Sequence, residues 1–249
     1  MKFGIDSGWF RRYEAVTPRR RVLILPHAGG SAAYFRLWGQ KFGQDTEVLV
    51  ANYPGRHVRA SEPFMLRMEE LADAVTEALL PFLGLPLSIF GHSMGASLAY
   101  EVALRLEARH SVRLEGLHVS SRKAPHRLTP GTLYREGDDA LVAEIQRLGG
   151  LEGVSLDDPA LRALVLPAIR ADFTIVGTYG PRSAIPVGCP VRGYVGDRDP
   201  AVTDTDMSAW ADVAPRGYAQ QVFPGGHFYL AEQRDALIRA VSGSPAGAR

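Results

Sequence analysis

Five consecutive residues, Gly91-His92-Ser93-Met94-Gly95, match the pattern G-x-S-x-G. The pattern carries chemistry only where a strand delivers the serine to a sharp turn that opens directly into a helix. Leu87-Ser-Ile-Phe90 supplies the strand-like run before it, and Ala96 to Arg109, free of Gly and Pro, supplies the helix after it. Glycines two residues to either side leave room for the turn, and the serine between them takes up a strained conformation. Its hydroxyl is held clear of the backbone at the positive end of a helix. Ser93 is thus a candidate nucleophile.

A serine hydroxyl attacks poorly near neutral pH unless a base takes its proton. Where a strand–serine–helix turn is the nucleophile, the partners follow in the chain order serine, acid, histidine. His227 stands in Gly225-Gly226-His227-Phe228, after the apolar Val222-Phe223 and before a final helical pattern, and no other histidine follows His126. The paired glycines are expected to let the backbone turn and bring the imidazole in. The acid falls in Gly196-Asp197-Arg198-Asp199-Pro200, at the end of Val191–Val195. Asp197 and Asp199 are both candidates. Asp199 is favoured because it sits deeper in the loop before a proline, whereas an aspartate at a strand end more often caps a turn. Asp157, Asp158 and Asp172 fall in a different region and are not expected to serve as the acid.

Acyl transfer builds negative charge on a carbonyl oxygen, which two backbone N–H groups ordinarily receive. One belongs to the residue after the nucleophile, here Met94; the other comes from the loop after an earlier strand. Pro26-His27-Ala28-Gly29-Gly30-Ser31 follows Val22–Leu25, which makes Ala28 the expected donor. His27 precedes the nucleophile, contrary to the chain order, so a loop-ordering role is expected for it. The Gly-Gly pair is no phosphate cradle, since the Lys-Ser/Thr of that motif is missing.

These residues need a sheet to hold them. Arg21–Leu25, Glu47–Tyr53, Leu87–Phe90, Leu114–Val119, Val191–Val195 and Gln221–Phe223 read as strands, mostly apolar throughout as in a sheet buried on both faces. Between them lie helical stripes: Met68, Leu71, Ala72, Val75, Leu79 and Leu80; Leu98, Val102 and Leu106; and Leu230, Leu237 and Val241. Strand–helix alternation implies a mostly parallel sheet flanked by helices, and with the serine turn it defines an α/β-hydrolase fold over residues 1–249 as one domain. From about 125 to 186 the rhythm breaks into two helical patterns, Ala140–Leu148 and Leu161–Val176, joined through Gly149-Gly150 and Glu152-Gly153. A plain crossover needs only about a dozen residues, so this stretch is expected to be a helical lid inserted within the domain.

Composition limits the partners. Apolar residues make up 46% and charged residues 22% of 249, with a net charge of +1. That balance gives no bulk attraction to nucleic acid or to a membrane surface. Cys189 is the single cysteine, which leaves no internal disulfide and no cysteine-based metal cluster. Met1–Phe10 lacks the apolar stretch of a signal peptide, and no run approaches the roughly 20 apolar residues of a membrane span. A cytoplasmic enzyme is expected, and nothing calls for more than a monomer.

Beyond the triad pattern, the segments Pro26-His-Ala-Gly-Gly30, Tyr53-Pro-Gly-Arg56, Phe90-Gly-His-Ser-Met-Gly95, Ser121-Arg-Lys-Ala-Pro-His126, Arg147-Leu-Gly-Gly150, Leu166-Pro-Ala-Ile-Arg-Ala-Asp-Phe173, Gly196-Asp-Arg-Asp-Pro200 and Phe223-Pro-Gly-Gly-His-Phe-Tyr-Leu230 resemble the type II thioesterases. These are the free-standing editing thioesterases of polyketide and nonribosomal peptide biosynthesis. The resemblance runs from about Val22 to Leu230. It implies hydrolysis of acyl groups from the phosphopantetheine arm of acyl or peptidyl carrier proteins, through an acyl-Ser93 intermediate and without a cofactor of the enzyme's own. It places the triad on Ser93, Asp199 and His227, and the oxyanion donors on Ala28 and Met94. Two positions depart from the family pattern: His57 stands where an acidic residue is usual, and Asn52-Tyr53 replaces the commoner Gln-Leu. The triad alone would equally serve an esterase or lipase acting on diffusible esters, or an acyltransferase. The family segments are what favour the carrier-bound thioester.

Overall fold

The computed structural model describes residues 4–150, 156 and 158–243. Its eight strands are β1 (Gly4–Ser7), β2 (Phe10–Tyr13), β3 (Arg20–Leu25), β4 (Thr46–Ala51), β5 (Leu87–His92), β6 (Gly116–Ser120), β7 (Val191–Gly196) and β8 (Tyr218–Phe223). They form one sheet in the order β1-β2-β4-β3-β5-β6-β7-β8. The six strands β3 to β8 run parallel, and β1 and β2 add an antiparallel edge. The helices are α1 (Arg36–Lys41), α2 (Met68–Leu79), α3 (Met94–His110), α4 (Asp138–Leu148), α5 (Pro159–Thr178), α6 (Asp204–Ser208) and α7 (Arg234–Ser242).

Side-chain alternation along the central strands explains the layers. Leu23 and Leu25 of β3 and Leu49 of β4 pack on the face covered by α2 and α3, with Leu71, Val75, Leu98 and Val102. Val22 and Ile24 of β3, Val48 and Val50 of β4 and Phe90 of β5 point the other way, onto Trp38 of α1 and Leu237 and Val241 of α7. Successive strand residues alternate faces, so a strand that is apolar at every position must be covered twice. The turn that carries Ser93 therefore follows β5, a strand buried at every position.

Several sequence-based boundaries shift. The β1–β2 hairpin turns at Gly8, whose φ is 60°, and was not anticipated. In β2 only Phe10 and Tyr13 are buried, one on each face, with two arginines between them. Strand β6 begins at Gly116, two residues later than expected, and β8 reaches back to Tyr218. Leu230, expected on the last helix, precedes α7.

Among the described residues, the stretch between β6 and β7 carries no strand. Helix α4 opens with Asp138 and Asp139 and closes at Gly149, where φ is 83°. The Gly149 and Gly150 N–H groups donate to the carbonyls of Gln146 and Ile145, both at 2.9 Å, which satisfies the helix end. Helix α5 starts on Asp158, whose carboxylate accepts the Ala160 N–H at 2.9 Å, followed by Pro159 in the first turn. The two helices share a small apolar cluster of their own, with Leu166 and Ile169 of α5 against Val142 and Ile145 of α4. Glu152-Gly153, expected to join these helices, and Asp157 lie outside the described residues. No described helix is long and apolar enough to cross a membrane.

Candidate active site

Ser93 lies between the last residue of β5 and the first of α3, with φ 53° and ψ −118°. A non-glycine residue at positive φ stores strain that its surroundings must hold. The surroundings are specific. A Cβ on Gly91 would stand 2.0 Å from the Gly95 carbonyl oxygen, and one on Gly95 would stand 2.0 Å from that of Leu25. The two glycines of the motif are thus required by backbone-to-backbone approach. The Ser93 N–H donates to the Ser120 carbonyl at 2.8 Å, which ties the turn to β6.

His227 arrives from the loop after β8. Its Nδ1 hydrogen-bonds Asp199 Oδ2 at 2.9 Å, with the His227 side chain only 3% exposed and that of Asp199 fully buried. The other oxygen of Asp199 accepts the N–H groups of Ala201 at 2.9 Å and Val202 at 3.2 Å. Burial pushes the Asp199 carboxyl up, but hydrogen bonds and charge from His227, together with the Ala201 N–H, outweigh it and hold the carboxyl below its ordinary value. Asp197 does something else. Half exposed, it accepts the Gly225 N–H at 2.8 Å and so braces the loop that carries His227.

The two loops meet closely. A Cβ on Gly196 would lie 2.3 Å from the Gly226 oxygen and 2.4 Å from the Gly225 oxygen. Gly225 has φ 134° and its added Cβ would meet Tyr229 at 2.8 Å. Gly226 meets nothing closer than 3.9 Å and its φ is not positive, so of the paired glycines only Gly225 is demanded by the turn.

Ser93, His227 and Ala28 line one cavity of about 250 Å³, roofed in part by Ile145 and Leu148 of α4 and Phe173 and Val176 of α5. Met94, the first residue of α3, presents an N–H that has no partner within its helix. In the loop after β3, the Gly29 N–H donates to Asp172 at 2.7 Å and the Gly30 N–H to the His27 carbonyl at 2.9 Å. Both neighbours of Ala28 on its C-terminal side are therefore engaged.

His27 is buried among rings, with Phe228 at 4.8 Å, Tyr34 at 4.9 Å and His92 at 5.8 Å between centroids. Burial pulls its pKa down to about 3, so it is a neutral packing ring at the cavity wall, in keeping with a loop-ordering role. His92, inside the motif, is buried and neutral for the same reason. Its Nδ1 meets Ser120 Oγ at 2.8 Å, which in turn meets the Tyr229 hydroxyl at 2.8 Å.

Sequence reasoning set Asp172 aside as the acid and missed the contacts it makes. It is buried, takes two hydrogen bonds from Arg56 at 2.5 and 2.6 Å, and accepts the Gly29 N–H as well. Arg56 also lies over the Tyr53 ring, and the Tyr53 hydroxyl donates to the Pro26 carbonyl at 3.0 Å. One carboxylate on α5 therefore fixes the loop that carries Ala28. The signal was split between Tyr53-Pro-Gly-Arg56 and Leu166–Phe173, two segments whose pairing only the fold reveals.

A parallel sheet, a strained serine at the β5–α3 turn, and a buried histidine–aspartate pair beside it define an α/β-hydrolase of the serine type. The chain belongs to the thioesterase domain family, whose model matches residues 20–244. It is 42% identical to thioesterase PikA5 of Streptomyces venezuelae over 242 residues, which cover 96% of this chain and 86% of that one. It is 36% identical over 93% of its length to AMB antimetabolite synthetase AmbE of Pseudomonas aeruginosa, of which it spans only 11%. Among solved structures, the type II thioesterase BorB from the borrelidin biosynthetic cluster superposes with a TM-score of 0.88 at 37% identity, covering 96% of this chain and 98% of that one.

Proposed function

We propose that this thioesterase hydrolyses acyl groups from the phosphopantetheine arm of acyl or peptidyl carrier proteins in polyketide or nonribosomal peptide biosynthesis. The observation that carries the serine chemistry is the buried His227–Asp199 hydrogen bond of 2.9 Å, with His227 lining the same cavity as Ser93. His227 takes the Ser93 proton as Ser93 attacks the thioester carbonyl. Asp199 fixes the ring and stabilises the imidazolium that forms. The developing oxyanion is received by the Ala28 and Met94 N–H groups, and the pantetheine thiol leaves with the proton from His227. His227 then activates water, which releases the acid from acyl-Ser93. The chemistry calls on no metal or redox cofactor.

Residues of about 125–186 act in this reading as a lid over a single domain. Ile145, Leu148, Phe173 and Val176 give the cavity its apolar wall, and movement of α4 and α5 admits the arm. The enzyme works in the cytoplasm, as a monomer that meets its carrier proteins transiently. The kinship to PikA5 and BorB supports the carrier-bound substrate over a diffusible ester. The test is a hydrolysis panel of carrier-bound acyl groups against simple esters of the same acids, with Ser93→Ala as control. Carrier-bound thioesters are expected to be preferred, and Ser93→Ala to be inactive. Preference for the free esters would transfer the enzyme to the general esterases.

A further inference from the structure

The cavity contains one cation for which the described residues provide no counterion. Arg122 follows β6 and lines the same cavity as Ser93. Its carbonyl accepts the Trp210 indole N–H at 2.7 Å, and its Nε donates to Ser97 Oγ at 2.9 Å, so the backbone and the inner edge of the guanidinium are fixed. Ser97 is one turn beyond Ser93 on α3, about 6 Å along the axis. Among the described residues neither terminal nitrogen of Arg122 has a hydrogen-bond acceptor or a carboxylate within ion-pair distance. Neither is sealed away as a buried, unsatisfied atom. They are open donors in a cavity.

The other charges around that cavity are accounted for. Glu144 is held by Arg147 through two hydrogen bonds of 2.7 and 2.8 Å, Lys123 faces Asp206 at 3.3 Å, and His27 is neutral. Burial brings Arg122 down only to about 10, which leaves it a cation at neutral pH. Holding a guanidinium partly out of water with its two terminal nitrogens unpaired is costly, and that cost is recovered when an acceptor arrives. Its planar fork suits a carboxylate best and a carbonyl or hydroxyl oxygen next.

We infer that Arg122 determines specificity by binding an acceptor oxygen on the acyl group: a carboxylate or keto oxygen a few bonds past the thioester carbonyl. The inference rests on the proposed reaction at Ser93. It is tested with N-acetylcysteamine thioesters of equal chain length that end in a plain alkyl, a keto or a carboxylate group. The wild-type enzyme is expected to favour at least one oxygenated chain over the alkyl one by roughly tenfold or more in kcat/KM. Arg122→Gln should erase that preference, lowering kcat/KM for the favoured substrate by on the order of 10- to 100-fold more than for the alkyl thioester. Arg122→Lys should keep part of it. The keto and carboxylate arms separate the two sources of the acceptor. Equal loss on all three thioesters would assign Arg122 to the pantetheine arm or to the scaffold and overturn the inference. So would a wild-type enzyme that treats the three alike, a measurement that needs no variant to fold. Failure of the underlying reading looks different: Ser93→Ala would still turn over the alkyl thioester.

Discussion

Asp172, on helix α5, accepts the backbone N–H of Gly29 at 2.7 Å while holding the Arg56 guanidinium through both of its oxygens. The helix that covers the cavity thereby fixes the loop next to Ala28. Asp172→Ala strands a buried arginine, and a loss of about 3–5 kcal/mol is expected, read as the urea midpoint. Replacing both partners, as Arg56→Met with Asp172→Leu, removes the stranded charge and should restore much of that stability. It does not restore the tether to Gly29, so kcat should stay low with KM little changed. A double variant that regains full kcat would confine the pair to a structural role.

Asp199 is expected to matter through the orientation of His227. Asp199→Asn keeps the shape but not the charge that selects the ring tautomer, and kcat should fall on the order of 10⁴-fold. The carboxyl is held below its ordinary value in the folded protein. Its stabilising contribution is therefore complete above the unfolded value of about 3.9 and is lost as pH falls through the lower folded value. The difference in urea midpoint between wild type and Asp199→Ala should accordingly shrink as pH falls below about 4. A difference that grows on acidification would contradict this assignment.

How much of this could be read in the chain depends on how local each feature is. Ser93 and its glycines sit within five residues, and the close approaches at Gly91 and Gly95 are what the motif encodes. His227 was legible because no rival histidine follows His126. Asp197 and Asp199 share one loop, and the sequence could only favour the second; its bond to His227 spans 28 residues and needed the β7 and β8 loops placed side by side. The Asp172 tethers span 116 and 143 residues, beyond any periodicity. The β1–β2 hairpin was missed because both strands are only four residues long, and neither Gly-Ile-Asp-Ser nor Phe-Arg-Arg-Tyr gives an apolar run or a clean alternation.

The glycines of the site should differ sharply in tolerance. Gly95→Ala drives a methyl group into the Leu25 carbonyl, and Gly91→Ala drives one into that of Gly95. Neither obstacle is a movable side chain, so each variant should lose at least about 3 kcal/mol or fail to accumulate as folded protein. Gly225→Ala combines φ 134° with the approach to Tyr229 and should also destabilise. Gly226→Ala has room and no positive φ to oppose it, and its thermal midpoint should stay close to wild type. Equal damage at Gly225 and Gly226 would mean that the loop, rather than one residue in it, sets the turn.

Acid should weaken this fold well before its carboxylates are protonated. Burial draws His27 and His118 down to about 3, and it draws His92 well below the ordinary value. In the unfolded chain each titrates near 6.5. The unfolded state therefore binds more protons as pH drops below that value, and stability that is complete above it is lost on acidification. Each histidine contributes up to about 1.4 kcal/mol per pH unit between the two values. His118 is the one to vary, because it stacks on Tyr194, with Nδ1 2.8 Å from the tyrosine hydroxyl, and does not line the cavity of Ser93. His118→Gln is expected to lower stability at pH 7.5 yet flatten its decline from pH 6.5 to 5, measured as urea midpoints, while leaving the pH profile of kcat/KM unchanged. An unaltered slope in the variant would show that His118 titrates alike in the folded and unfolded chain.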